Sequence, residues 1–305
     1  MSVMVFGSIN MDLTAYVPHL PAMGETLFGT SFITVPGGKG DNQAVAAARL
    51  GAKVKFVGRV GTDAFGPEVL KIVAAEKVDV SGVAVDPQKG TGLAVICVDD
   101  KADNAIIVIS GANMALDQSD VQRAASMLED VSVLCLQMEV PLEASLELAK
   151  IARTRGVKVI FDPAPAMPLD EAAYRLMDVI TPNEGETGIL VGFRPTNAEE
   201  AARAAAILRD RGVGTAIIKL GAQGVYYDSP EGKGFLPPFK VTPVDSVAAG
   251  DAFNGGLAVA LSEGLSMKEA VRWGAAAGAL ATTRKGAMPS MPYRAELLKL
   301  LEEQE

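Results

Sequence analysis

The feature that most constrains this fold is a rhythm beginning at Val54, where short apolar runs alternate with amphipathic ones. Strand-like runs at 54–60, 131–137 and 157–161 are interleaved with helical patterns at 64–77, 117–129 and 142–155. Strands separated by helices need crossover connections. The expectation is therefore an α/β fold, a Rossmann-like and mainly parallel sheet with helices on both faces. Thr196-Asn197-Ala198-Glu199 reads as a capping box opening a helix to Arg211, with Gly212 as its stop. Ser266-Met267-Lys268-Glu269 reads as another, opening a helix towards Thr282.

Two stretches break the rhythm. Residues 13–35 are interrupted by Pro18, Pro21, Gly24 and Gly29, and the apolar runs 92–98 and 105–109 are joined by a polar turn at 99–104. They predict a small separate β layer, a lid formed by roughly 12–35 and 91–110 and inserted in the core. With 305 residues, the chain is expected to be one domain, 1–305, made of an α/β unit and this accessory piece.

Composition removes several classes of function. A net charge of −9 without a basic cluster argues against nucleic acid as a main partner. No apolar run approaches the roughly 18 residues that crossing a bilayer requires. The first residues form a strand pattern with no basic region before it, so a secretory signal is not expected. Cys97 and Cys135 stand alone in apolar runs and are expected as buried free thiols, which points to the cytoplasm. The single histidine, His19, lies in a Pro-bounded loop, so a general base in this chain is expected to be a carboxylate.

Residues 243–256 carry the strongest chemical signal. A short β-type segment runs into Ala248-Ala249-Gly250-Asp251 and then into a helix with Phe253, Leu257 and Leu261 at four-residue spacing. Small residues at a helix N-terminus leave backbone N–H groups unpaired and approachable, and the helix dipole favours a phosphate there. Asp251 at the same mouth reads equally as a general base for an attacking hydroxyl or as a first-turn carboxylate complementing the dipole.

Other polar residues follow strands, where open α/β sheets bind ligands. Asn10 and Asp12 follow the strand at 3–6, and their side chains could also form a turn on their own backbone. Gly37-Gly38-Lys39-Gly40 precedes the helix 42–50 but is not a Walker loop, because Ile33 stands where that motif needs glycine and Gly40 where it needs Ser or Thr. Gly7 is likewise not followed by the glycines of a dinucleotide fingerprint. Glu139, Asp162, Asn183 with Glu186, and Lys219 with Gly221 and Gly224 come after later strands.

Asp245-Ser246-Val247-Ala248-Ala249-Gly250-Asp251 resembles the C-terminal signature of the ribokinase-like (PfkB-type) carbohydrate kinases, and Gly37 to Ala44 resembles their N-terminal one. The similarity runs essentially end to end. It implies an ATP-dependent sugar kinase, with the primary hydroxyl of ribose as the expected acceptor. Deoxyribose, fructose or a nucleoside is the alternative, and a non-catalytic sensor a more distant one. The resemblance implies that Asp251 is the base and that the N–H groups of Ala248, Ala249, Gly250 and Asp251 receive the phosphoryl group. It places Asn10, Asp12, Gly38, Lys39, Gly40, Asn42 and Glu139 on the sugar. It places Asn183 and Glu186 on Mg2+ and phosphate, and Lys219, Gly221, Gly224 and Gly250 on ATP. It implies a K+ site from Asp245, Val247, Ala281, Arg284, Gly286 and Ser290, and a homodimer through the lid. Ser246, Ala252 and Ala275 depart from commoner residues. So does Asp41, which stands where the signature has alanine and is expected to cap the helix that follows, the alternative being that it accepts from a sugar hydroxyl and changes which sugar is preferred.

Overall fold

β1 (Ser2–Phe6) is buried along its whole length, with Val3 and Val5 in one core and Met4 and Phe6 in another. A strand covered on both faces is apolar without alternation, as this one is. In the computed structural model, which describes residues 2–101 and 103–304, the chain leaves the main sheet directly after β1. Met1, Ala102 and Glu305 lie outside the described residues, Ala102 within the turn expected at 99–104.

The departing strands are β2 (Asn10–Tyr16) and β3 (Ser31–Gly37), after which α1 (Lys39–Arg49) returns the chain to β4 (Lys53–Gly61). α2 (Phe65–Ala75) and β5 (Val78–Asp86) follow, then β6 (Gly92–Val98) and β7 (Asn104–Ile109). The middle of the chain alternates through α3 (Gln118–Ser126), β8 (Val131–Leu136), α4 (Leu142–Thr154), β9 (Lys158–Phe161), α5 (Glu171–Tyr174) and β10 (Val179–Ile180). After α6 (Glu184–Val191) and α7 (Ala198–Asp210) come β11 (Thr215–Lys219), β12 (Val225–Ser229) and β13 (Gly232–Leu236). α8 (Ala249–Ser262), α9 (Met267–Ala281) and α10 (Arg294–Glu303) complete the order.

The main sheet runs β13-β12-β11-β10-β9-β8-β1-β4-β5 and is parallel from β11 to β5, with β12 antiparallel to both β11 and β13. β1 pairs with β4 on one side and with β8 on the other. The chain therefore moves outward in both directions from β1. That makes the carboxyl ends of β1 and β8 the topological switch point, where such sheets open a ligand crevice. α1, α8 and α9 pack on one face of the sheet, α3, α4 and α7 on the other. Close packing explains Gly255: a Cβ there would lie 2.5 Å from Cβ of Ala46, so the glycine lets α8 approach α1. No helix among the described residues is long and apolar enough to cross a membrane.

The lid is a second sheet, β3-β2-β6-β7, in which β2 and β6 are parallel. All of β7 is exposed, including Ile107 at 63%, and Phe32 on β3 is 69% exposed.

Several expectations need correction. Asn10 and Asp12 belong to β2 and are paired with β3, so they do not form a turn. The capping residue of α7 is Asn197, which accepts from the Glu200 N–H, while the Glu200 carboxylate accepts from Thr196 and not from the cap residue, so the expected box does not form. The box at Ser266 and Glu269 is present as read. Residues before Ala248 form no strand, because Val244 and Asp245 donate their N–H groups to the Thr282 carbonyl instead of a sheet neighbour. Cys135 is buried, but Cys97 lies in the thin lid sheet and is only half-buried.

Candidate active site

The N-termini of α1 and α8 converge over the switch point. From α1, Asn42 Nδ2 donates to Asp251 Oδ2 at 2.9 Å, and Gln43 Nε2 donates to Asp251 Oδ1 at 3.2 Å. Asp251 is 4% exposed. Burial pushes its carboxyl up to about 6, with Asp162 adding to the rise and Lys39, Asn42 and Gln43 opposing it. A carboxylate strengthened as a base yet still ionised near neutrality suits proton abstraction from a hydroxyl.

The turn before α8 is held by Ala248 in the left-handed region, with φ of 58°. A non-glycine residue is strained there by roughly 1–2 kcal/mol. The α8 ladder starts at the Ala252 N–H, which donates to the Ala248 carbonyl. The Ala249 N–H closes the turn on the Ser246 carbonyl at 3.3 Å, so the four expected anion donors are reduced in this conformation. The N–H groups of Gly250 and Asp251 lie in the first turn, before the ladder supplies acceptors. Lys219 stands beside them: a Cβ added to Gly250 would lie 3.3 Å from its Nζ. The same ammonium is 3.4 Å from Asp162 Oδ1 and 5.8 Å from the centre of the Phe253 ring.

On the acceptor side, Glu139 Oε2 accepts from the Lys39 N–H at 3.0 Å and from Ser8 Oγ at 2.5 Å. Gly40 packs so closely that a Cβ would lie 2.7 Å from the backbone of Ser8, and its N–H donates to Ser8 Oγ. Gly38, with φ of 92°, turns the chain into α1. Asn10 is buried and accepts from Asn113 Nδ2 at 2.7 Å. Burial, with the Glu139 charge adding to it, pushes the Asp12 carboxyl up to about 6. Burial alone would lower the Lys39 ammonium, but Asp251, Asp162, Glu139 and Glu186 outweigh it and raise it. Lys39 is thus the cation shared by the two halves of the site.

Asn183 and Glu186 form a reciprocal capping box at the start of α6. Burial raises the Glu186 carboxyl, against the pull of Lys219. Among the described residues no three His, Cys, Asp or Glu side chains cluster to hold a metal by themselves. A hard cation shared with phosphate oxygens needs only one or two protein carboxylates, which these residues can offer. Gly221 is exposed at the end of β11, whereas Gly224 is packed under the Leu236 carbonyl, where a Cβ would lie 2.3 Å away. The fold therefore requires Gly224 whether or not a ligand is present.

Asp245 ties two loops together, Oδ1 accepting from the Val247 N–H at 3.0 Å and Oδ2 from the Gly286 N–H at 2.9 Å. Ala281 is buried at the end of α9, and Ser290 Oγ donates to the Ala287 carbonyl. The Arg284 side chain pairs with Glu296, so only its backbone is left for a cation. A carboxylate and backbone carbonyls from these loops are the oxygen donors a monovalent ion would take.

Asp41 does not cap α1. It is fully buried, makes no capping bond, and neither carboxyl oxygen has a partner among the described residues. Burial, then the charges of Asp12, Asp251 and Glu76, raise its carboxyl well above the ordinary range, with Arg49 opposing. His19 is exposed and pairs with Glu25, away from this chemistry. The residues that sequence reasoning missed are Ser8, Gln43, Asn113 and Gln137, uncharged groups whose only signal was their position beside a motif or strand end.

A profile of the pfkB family carbohydrate kinases matches residues 1–294. The chain belongs to this family of alcohol-accepting phosphotransferases. It is 42% identical over 298 residues to a ribokinase of Haemophilus influenzae, covering 98% of this chain and 97% of that one. The structure is similar to a ribokinase of Thermotoga maritima, with a TM-score of 0.89, 37% identity and 99% of both chains covered. It is also similar to an Arabidopsis thaliana ribokinase complexed with ribose and ATP, with a TM-score of 0.91, 32% identity, and 99% and 98% coverage of this chain and that one.

Proposed function

We propose that the protein transfers the γ-phosphoryl group of ATP to the primary hydroxyl of ribose, giving ribose 5-phosphate. The observation that carries this reading is the Asp251 carboxylate, held by Asn42 and Gln43 beside the small-residue N-terminus of α8. Asn10, Asp12, Asn42, Glu139 and the Gly38–Gly40 backbone fix the sugar so that its primary hydroxyl meets Asp251. Asp251 takes the hydroxyl proton as the oxygen attacks the γ-phosphorus, whose bond to the β-phosphate oxygen breaks to release ADP. The Ala248, Gly250 and Asp251 N–H groups, with that of Ala249 once released from Ser246, receive the phosphoryl oxygens, and Lys219 offsets their charge. Catalysis of this kind is positioning and electrostatics at a fixed site.

Asn183 and Glu186 would hold Mg2+, which would supply charge neutralisation to the phosphates. Asp245, Ser290 and the backbone of Val247, Ala281, Arg284 and Gly286 would hold K+, which would steady the loop leading to α8. Gly221 and Gly224 line the adenosine side. The exposed apolar strands β3 and β7 support a homodimer formed through the lid. The ATP requirement and the free thiols support a cytoplasmic location.

ADP release measured across ribose, deoxyribose, fructose and nucleosides tests this reading. The highest kcat/KM is expected with ribose. ADP release that no sugar stimulates would refute a kinase and favour a binding protein.

A further inference from the structure

Gln43 places its side-chain amide between two buried carboxylates. Its Nε2 lies 3.2 Å from Asp251 Oδ1 and 3.1 Å from Asp162 Oδ2. Ionised carboxylates only accept hydrogen bonds, so the nitrogen, not the oxygen, must face them. On the other side, Gln137 Nε2 donates to Gln43 Oε1 at 2.7 Å. Gln43 and Gln137 are 1% and 0% exposed. Gln137 Oε1 is seated against Gly7, where a Cβ would lie 2.0 Å away, and has no hydrogen-bond partner among the described residues.

We propose that Gln43 is a positioning residue for Asp251 and that Gln137 sets the direction of the Gln43 amide. The inference rests on the reading of Asp251 as the base. With Asn42 on Oδ2 and Gln43 on Oδ1, the carboxylate plane is fixed from both sides, and each oxygen keeps a lone pair for the incoming proton. Asp162 accepts the second amide hydrogen and faces Lys219 with its other oxygen. One chain of contacts, Asp251 to Gln43 to Asp162 to Lys219, thus joins the base to the lysine beside the anion donors. The other charged groups bearing on Asp251 are Lys39 and the buried Asp41.

The test compares two substitutions at Gln137. In Gln137→Glu the side chain keeps its shape, and although burial raises its carboxyl, the form ionised at about pH 8 cannot donate to Gln43 Oε1. It accepts instead, and Gln43 turns to present its oxygen to Asp251 and Asp162. Gln137→Met removes the donor and creates no acceptor, leaving Gln43 held by the two carboxylates. With ribose and MgATP at about pH 8, Gln137→Glu is expected to lose about 10²-fold in kcat, and Gln137→Met less than about tenfold, with KM for ATP unchanged in both. A purely structural role predicts the opposite order, the near-isosteric Glu being the milder change. Equal kcat values for the two variants, or a raised KM at parental kcat, would overturn the proposal.

If Gln137→Glu does not fold, Gln43→Met decides the matter, since it keeps chain length and removes both amide hydrogens. Lower kcat at unchanged KM for ATP supports the relay, and kcat within about threefold of the parent overturns it. Asp251→Asn is measured alongside. If it abolishes turnover while Gln137→Glu and Gln137→Met match, the base stands and the relay falls. If Asp251→Asn keeps parental turnover, the base reading falls and takes the relay with it.

Discussion

Asn42 and Asp251, 209 residues apart in the chain, meet side chain to side chain at 2.9 Å. The bond joins the first turns of α1 and α8, so the N-terminal and C-terminal signature segments act as one site. Its geometry depends on the close approach of α1 and α8 that Gly255 permits.

Replacing Asp251 by Asn keeps the shape and removes the proposed base. Turnover is expected to fall by roughly 10²–10⁴, with ribose and ATP still bound. Turnover within tenfold of the parent would rule out Asp251 as the base. The same variant has a predictable effect on stability. The Asp251 carboxyl is pushed up to about 6 by burial, against 3.8 for the free group. The folded state therefore binds more protons than the unfolded state between those values, and stability from this group is present below 3.8 and lost as pH rises through about 6. Asp251→Asn removes that loss. Its melting temperature should exceed the parent's at about pH 8, and the gap should close towards about pH 4. Asp12 and Asp41 have the same sign and remain in both proteins; because the Asp251 charge also raises Asp41, the difference reads Asp251 together with that coupling.

The proposed cation site predicts a rate that depends on the salt. At constant ionic strength, ribose phosphorylation should be faster in potassium than in sodium. Asp245→Ala cuts the ties to Val247 and Gly286, so it should lower the rate and flatten the response. Equal rates of the parent enzyme in potassium, sodium and caesium would remove the cation from the mechanism.

The lid predicts self-association. Ile106, Ile107, Val108 and Ile109 are each at least half exposed on β7, an edge strand of a sheet that also exposes Phe32. Apolar edges of this kind are normally covered. The parent should sediment as a dimer and Ile107→Asp as a monomer. A monomeric parent at micromolar concentration would refute the lid interface.

What the sequence disclosed followed from local patterns. The strand–helix rhythm was legible because apolar runs bounded by turns set β1, β4, β8 and β9 within a residue or two. The polar residues past strand ends were legible because a parallel sheet gathers those ends. Gln43 and Gln137 were not, since an amide in the core has no charge and no spacing to mark it; only the meeting of α1 with β8 gives it partners. The cap of α7 slipped from Thr196 to Asn197 because both side chains can accept from a helix N-terminus, and one turn of backbone decides between them. The burial of Asp41 was hidden for the same kind of reason. The third residue of a helix reads as a first-turn carboxylate unless one knows what packs on that face.

Asp41 gives the last prediction, and its sign is opposite to that of a helix cap. A capping carboxylate contributes about 0.5–2 kcal/mol, so its removal would lower stability. Asp41 instead keeps two oxygens buried without hydrogen bonds, a situation that costs about 1–3 kcal/mol for each such group. Its carboxyl is raised by burial and by the nearby charges of Asp12, Asp251 and Glu76, which the Arg49 guanidinium only partly offsets. The folded protein therefore holds Asp41 protonated at pH values where the unfolded chain has released the proton, and stability from this group falls as pH rises. Asp41→Ala leaves a small void but abolishes that cost. The variant should melt at a higher temperature than the parent at about pH 8, with the advantage shrinking as pH falls towards about 4, where the carboxyl is protonated in both states. Thermal melts of the two proteins across that range decide it. A variant that melts lower than the parent at every pH would show that Asp41 supports the fold through a partner that forms only in solution.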